Sequence, residues 1–457
     1  MEIVAAGAET KPTPETSLMG PAVVVFTFCG LIFYAAPVRT PWDSWYSIHM
    51  AYSFLHGHWG DLSDFASFFK HHTLIPGRDG HIYSFYPIGP SLFSLPVVII
   101  ADQLIPNLAG LLMKVPVSME LEAMTVALWC AFATVLMLIL ARRLTGSALV
   151  AIFAAFVFAF CSPILSTATR ALWQHGPVVV CTAATMLVLH AGERRPALIP
   201  LAAFFVAMAF ACRPLAAPLV ALVSVYVGIY HRPQLVSFLT IGIAIAAVWG
   251  AYNYAIWGSI IPQYYKPGFI HNDYLHWIGR TAGPLISPSR GLLVFSPVFL
   301  FSVAGIVMKL RSRRFDRFDT LYLALIVCQL GLIAISPVWW AGHSFGPRFL
   351  TDIVPMLIYF MLPVLIYLRD GARTALGATA ATLFAAAGVV SLLINAQGAF
   401  DPAVSNWNVD PIVLQPGDPV GYPRLWDWRD LQFLRGTGFD DTHPAVQFFR
   451  LIEGKPI

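Results

Sequence analysis

An aspartate, Asp43, stands in Pro41-Trp-Asp-Ser-Trp-Tyr46, directly after the first long apolar run, 18–36. A carboxylate at a water boundary is partly desolvated and still reaches an aqueous or interfacial substrate, which suits a general base. The position also suits an N-cap for the segment 44–56, whose Tyr46, His49, Met50, Ser53 and Phe54 recur at helical spacing. The two roles are compatible. Further on come Asp61 and Asp64, the pair His71-His72, and Tyr83-Ser-Phe-Tyr-Pro-Ile-Gly-Pro90. Adjacent histidines rarely point at one ion, so His71 and His72 read as solvated. The Tyr-Pro-Ile-Gly-Pro turn reads as a rigid lead into the apolar stretch behind it. Two arginines sit alone in apolar surroundings: Arg170 in Thr167-Ala-Thr-Arg-Ala-Leu-Trp-Gln-His-Gly-Pro177, and Arg348 at the end of Trp339-Trp-Ala-Gly-His-Ser-Phe-Gly-Pro-Arg348. A membrane-edge guanidinium either snorkels to lipid headgroups or holds an anion, and phosphate suits its bidentate donors. Arg213, Arg280 and Arg290 are similar but less clearly framed.

These residues need elements to position them, and composition says which kind. Of 457 residues 58% are hydrophobic and only 11% charged, with a mean hydropathy of +0.69. Soluble domains carry about a quarter charged residues, so the chain reads as an all-α polytopic membrane protein. A net charge of +4 is too weak for nucleic acid to be the partner. The six cysteines fall in apolar stretches without metal-like spacing, which indicates packing residues.

Eleven apolar runs approach the length of about 17–25 residues that crosses a bilayer: 18–36, 119–141, 147–162, 177–191, 197–212, 214–230, 235–256, 291–308, 320–338, 349–367 and 374–394. A twelfth, 91–105, is short and carries Pro96, Asp102 and Gln103. If it lies at the interface, then Arg142-Arg143, Glu193-Arg194-Arg195, His231-Arg232, the run from Lys309 to Arg317, and Arg369 with Arg373 all face the cytoplasm. If it crosses, all of them face outward. The positive-inside bias selects the interfacial reading. The expected organisation is therefore a cytoplasmic tail 1–17, a membrane domain 18–395 and an outer tail 396–457. The first apolar run reads as a retained helix, since 1–17 has no Arg/Lys-rich region. The outer segments are 37–117, 162–176, 257–290, 339–348 and the aromatic-rich tail, which reads as a small cap on the outer loops.

The order of these features resembles bacterial integral-membrane glycosyltransferases of the GT-C fold, in the branch of protein O-mannosyltransferases and lipid A aminoarabinose transferases. The resemblance rests on Asp43 ahead of an amphipathic helix, the Tyr83–Pro90 segment, a span ending in Arg142-Arg143, and Trp339 to Arg348 followed by a helix. It implies sugar transfer with inversion from a polyprenyl-phosphate-linked donor to a hydroxyl of a glycan, lipid or protein, at the outer face of the bacterial inner membrane. It also implies Asp43 acting on the acceptor, with Asp61 or Asp64 as a second carboxylate. Arg348 is the first choice for the donor phosphate, helped by Arg170, His175 and His343, and Tyr83, Tyr86 and Trp340 are substrate-binding candidates. Ser44 stands where relatives often have a second acidic residue, which leaves a divalent cation open, and Phe85 stands where many have a lysine. The alternatives are an O-antigen ligase or polymerase using polyprenyl diphosphate, and a lipid flippase or transporter.

Overall fold

The computed structural model describes residues 19–66, 73–262, 264, 277–336, 338–371, 373–408 and 424–436. The tail 1–17, His71 and His72, and the rest of the C-terminal tail lie outside the described residues. The helices in chain order are α1 (Met19–Ala35), α2 (Ser47–Leu55), α3 (Ser63–Ala66), α4 (Gly89–Leu104), α5 (Leu108–Leu112), α6 (Val115–Thr145), α7 (Ala148–Phe160), α8 (His175–Gly192), α9 (Ile199–Cys212) and α10 (Ala217–Tyr230). They continue with α11 (Leu235–Trp257), α12 (Trp277–Ile286), α13 (Leu292–Phe295), α14 (Leu300–Arg311), α15 (Arg317–Ala334), α16 (Val354–Gly371) and α17 (Ala375–Phe400). One small antiparallel hairpin, Leu74–Pro76 with Ile82–Ser84, is the sheet among the described residues.

Six of these helices are long and apolar enough to cross a membrane: those over Pro116–Thr145, His175–Gly192, Arg232–Trp257, Arg317–Ala334, Arg348–Gly371 and Ala375–Phe400. The protein is a helical membrane protein. Its outer helices turn apolar side chains away from the protein, among them Val236, Leu239 and Ile243 on α11 and Leu376, Leu383 and Leu393 on α17. A continuous surface of that kind is costly in water and natural against lipid tails. By contrast α16 is enclosed on most of its surface. Its neighbour α14 crosses it so closely that a Cβ at Gly305 would fall on the Phe360 carbonyl oxygen. Glycine at such a crossing lets two backbones meet.

The helix ends sort into two sets. At one end Arg317 pairs with Glu193, His231 lies 3.2 Å from the same carboxylate, and Lys309 pairs with Asp319, which also accepts from the Tyr359 hydroxyl at 2.8 Å. Asp316 and Asp319 form a capping box that starts α15 there. The basic clusters of the sequence thus gather at one end, and Asp43, His175, Arg213 and Arg348 gather at the other.

Three sequence expectations need correction. Asp43 does not cap a helix: α2 begins at Ser47 after Tyr46, with no side-chain cap. The run 291–308 is not one helix, because Pro297 lacks an N–H and keeps Ser296 out of the helical region (φ −140°, ψ 69°), dividing it into α13, a short 3-10 turn and α14. The segment 162–176 is no open loop, since residues 161–173 are all buried and include a π-helical turn, Ile164–Ala168. Ser166 donates to the Asn395 side-chain oxygen at 2.6 Å and Thr167 to the Phe345 carbonyl at 3.2 Å, tying this knot to α17 and to the segment before Arg348. The stretch 91–105 forms α4, which packs on α2, and its Asp102 is 3.2 Å from His56.

Candidate active site

Asp43 hangs on backbone that its neighbours pin in place. The Val38 amide donates to Ala399 and the Thr40 amide to Arg170, each at 3.2 Å. Ser44, the next residue, donates its hydroxyl at 2.6 Å to Glu122 in the first turns of α6, and the same carboxylate oxygen accepts from the Leu172 amide at 3.3 Å. Glu122 therefore joins the turn that carries Asp43 to the turn that carries Trp173 and His175.

The Asp43 carboxylate forms an ion pair with Arg348 and accepts a hydrogen bond from the Tyr86 hydroxyl at 3.0 Å. Arg348 begins the 3-10 turn Arg348–Ile353 that leads into α16, and its guanidinium lies 3.7 Å from the centre of the Trp173 ring. Its Nε donates to His175 Nε2 at 3.3 Å. Arginine only donates, so the imidazole accepts here and is neutral; its Nδ1 lies 2.8 Å from Asp352 Oδ1 and 2.6 Å from Arg213 Nη1. Arg213, the residue closing α9, donates to Asp352 Oδ2 at 2.7 Å while lying along the imidazole edge and 5.0 Å from the Phe349 ring centre.

The result is a chain of five polar groups, Asp43, Arg348, His175, Asp352 and Arg213, whose two carboxylates balance its two guanidiniums around a neutral histidine. Its inner end is dry, with the Arg213 and His175 side chains 2% exposed, whereas the Asp43 side chain is 25% exposed. Burial pushes the Asp43 carboxyl up, but the charge of Arg348 and hydrogen bonds from Arg348 and Tyr86 outweigh it and hold the group below its ordinary value. Burial and the nearby Asp43 charge push the Tyr86 phenol up, so it remains a donor. The Tyr264 ring packs against Tyr86 at a tilt, with ring centres 5.1 Å apart.

The site candidates from the sequence divide accordingly. Asp43, Tyr86, His175 and Arg348 come together. Asp61 does not join them: it pairs with His81 at 2.7 Å and accepts from the Ser63 amide and hydroxyl. Tyr83 donates to Asp79 at 2.8 Å, facing away from Asp43. Arg170 serves the fold, because its guanidinium reaches the Phe33 carbonyl at 2.7 Å, the Ala36 carbonyl at 2.9 Å and Thr169 Oγ1 at 2.7 Å, holding the end of α1. Trp340 is 2% exposed and gives its carbonyl to Arg290 at 3.0 Å. His343 is exposed, and partial desolvation with the nearby Arg290 charge lowers its proton affinity. Sequence reading missed Asp352, Trp173 and Glu122. The signal for Asp352 and Glu122 was an acidic residue inside an apolar run, near its start, where an ionisable group is rare without a purpose.

Beside this chain of groups runs a groove of about 990 Å³ between α4, α9 and α11. Its walls are apolar, with Leu92, Met208, Ile245, Val248 and Ile256, and its rim carries His58, Asp61, Asp79, His81 and Tyr83. Ile88 and Ala211 in its lining stand two residues in sequence from Tyr86 and Arg213. Among the described residues no three His, Cys, Asp or Glu side chains converge as metal ligands. No family model matches the chain, and no curated protein matches it in sequence.

Proposed function

We propose that the chain is a membrane glycosyltransferase, built on eleven crossings in the manner of the GT-C enzymes. It moves a sugar with inversion from a polyprenyl-phosphate donor to a hydroxyl of a glycan, lipid or protein at the outer face of the bacterial inner membrane. The observation that carries this reading is the pairing of Asp43 with Arg348 across 305 residues of sequence, beside an apolar groove. A base and an anion-binding cation stand side by side where an isoprenoid chain has somewhere to lie. The sorting of helix ends supports the orientation, with the basic clusters at the end opposite to Asp43.

The chemistry follows from the contacts. A donor phosphate takes over Arg348, with Arg213 and the neutral His175 behind it, and so releases Asp43 from its compensating charge. Freed of that cation, the carboxylate becomes more basic and accepts the acceptor's hydroxyl proton. The acceptor oxygen then bonds to the anomeric carbon, the bond from that carbon to the phosphate oxygen breaks, and polyprenyl phosphate leaves stabilised by the guanidinium. Tyr86 holds the carboxylate in line, and Trp173 holds the arginine flat by stacking.

The assignment of Arg348 is tested with radiolabelled undecaprenyl phosphate, the shared product of such donors, on purified protein in nanodiscs. Arg348→Ala is expected to weaken its binding roughly 10- to 100-fold, the worth of one charge-assisted contact. Affinity indifferent to Arg348 contradicts the reading.

A further inference from the structure

The tail motif around Trp407 and Trp428 has no part in the steps above, yet it touches the segment that ends in Arg348. That segment is not relaxed: Ala341 (φ 63°), Gly342 (φ 64°) and Gly346 (φ 56°) are all left-handed. An alanine pays about 1 kcal/mol or more for this conformation, which persists only where neighbours over-determine it. The neighbours here come from the C-terminal segment. Gln432, fully buried, accepts with one side-chain oxygen from the Gly346 amide at 3.1 Å and from Arg290 at 2.7 Å, and donates to the Ser344 carbonyl at 3.0 Å. Asn408 accepts from the other arm of Arg290 at 2.8 Å. Arg290 in turn donates to the carbonyls of Trp340 at 3.0 Å and Gly342 at 3.3 Å, with its guanidinium 4.9 Å from the centre of the Trp407 ring. Ser287 anchors the same assembly by donating to the Leu425 carbonyl at 2.5 Å.

We infer that the C-terminal segment is a positioning element for Arg348: Gln432 directly, and Gln432 and Asn408 through Arg290, hold the 340–346 backbone with its left-handed residues Ala341, Gly342 and Gly346 so that the guanidinium lands between Trp173 and Asp43. What Arg348 binds rests on the reading above; the positioning does not.

Two measurements test it, both on the full chain in nanodiscs. Hydrogen exchange should rise about tenfold in peptides over 340–347 in Gln432→Ala, as loss of the hydrogen bonds at Ser344 and Gly346 implies. Exchange in α16 should stay at the wild-type level. Gln432→Glu, which keeps the bond accepted from the Gly346 amide and loses the one donated to the Ser344 carbonyl, should recover part of the protection. Unchanged exchange over 340–347, or an equal rise through all the helices, overturns the inference. Binding of radiolabelled undecaprenyl phosphate supplies the second measurement: Gln432→Ala should weaken it roughly tenfold in the wild-type background and leave it unchanged in Arg348→Ala. Equal weakening in both backgrounds overturns the positioning role. Wild-type protein that binds no undecaprenyl phosphate contradicts the proposed function, and the exchange data then decide the positioning alone.

Discussion

Arg170 gives the sharpest separation between a residue of the fold and a residue of the chemistry. The last turn of a helix leaves carbonyls without intrahelical partners. At the end of α1 those of Phe33 and Ala36, both residues fully buried, are met by the two arms of Arg170 at 2.7 and 2.9 Å. Arg170→Met keeps much of the volume and removes the donors. The Ala36 carbonyl keeps a donor in Arg39 Nη1, so the Phe33 carbonyl alone is orphaned, at about 1–3 kcal/mol, and relief from burying a cation returns part of that, for a net loss of about 1–2 kcal/mol. Thermal unfolding in detergent, followed by fluorescence of the buried tryptophans, should show a clear fall in midpoint. Undecaprenyl phosphate affinity per folded molecule should stay within about twofold of wild type, since a residue that touches no phosphate forfeits no charge-assisted contact. A variant as stable as wild type but unable to bind the phosphate would refute this reasoning and return Arg170 to the site.

Other perturbations read other contacts. In Tyr86→Phe the Asp43 carboxyl loses a donor, so its affinity for protons rises. The folded value is depressed, so the carboxylate's contribution is present above the ordinary carboxylate range and lost as pH falls through the folded value; the acid limb of kcat/KM should move to higher pH in the variant, with kcat down several-fold, about the worth of one hydrogen bond. Arg213→Ala leaves Asp352 buried beside only a neutral histidine and should cost about 3–5 kcal/mol in unfolding free energy, most of it regained by adding Asp352→Asn. Gly305→Ala should force α14 from α16 and lower the unfolding midpoint by the equivalent of about 1–3 kcal/mol, with activity per folded molecule retained.

Hydropathy made the helices legible because apolar length is a strong signal, and most boundaries fall within a few residues of the apolar runs. What it could not show is which polar residues the packing turns inward. Asp352 is hidden inside the run 349–367 and acts only because α8 and α9 bring His175 and Arg213 to it. Arg170 and Arg348 look alike in sequence, each a lone cation among apolar residues, and only the approach of the α1 carbonyls separates them. Asp61 and Tyr83 belong to the same outer segment as Asp43, but the turn at Tyr86-Pro87 sends them to the groove. The segment 162–176 read as a loop because it lacks a long apolar run, yet its serines and threonines satisfy their hydrogen bonds internally, which lets a polar stretch be buried.

In the proposed transfer reaction Asp43 is the base and Arg348 holds the leaving phosphate. Wild type, Asp43→Asn and Arg348→Ala, each purified in nanodiscs, are offered a panel of radiolabelled polyprenyl-monophosphate sugars with membrane-extracted acceptors, and both free polyprenyl phosphate and transferred sugar are counted. Wild type should turn over one of the donors, and each variant should fall by about 100-fold or more, the usual share of a positioned base or an oxyanion contact. Full turnover by Asp43→Asn would contradict the account.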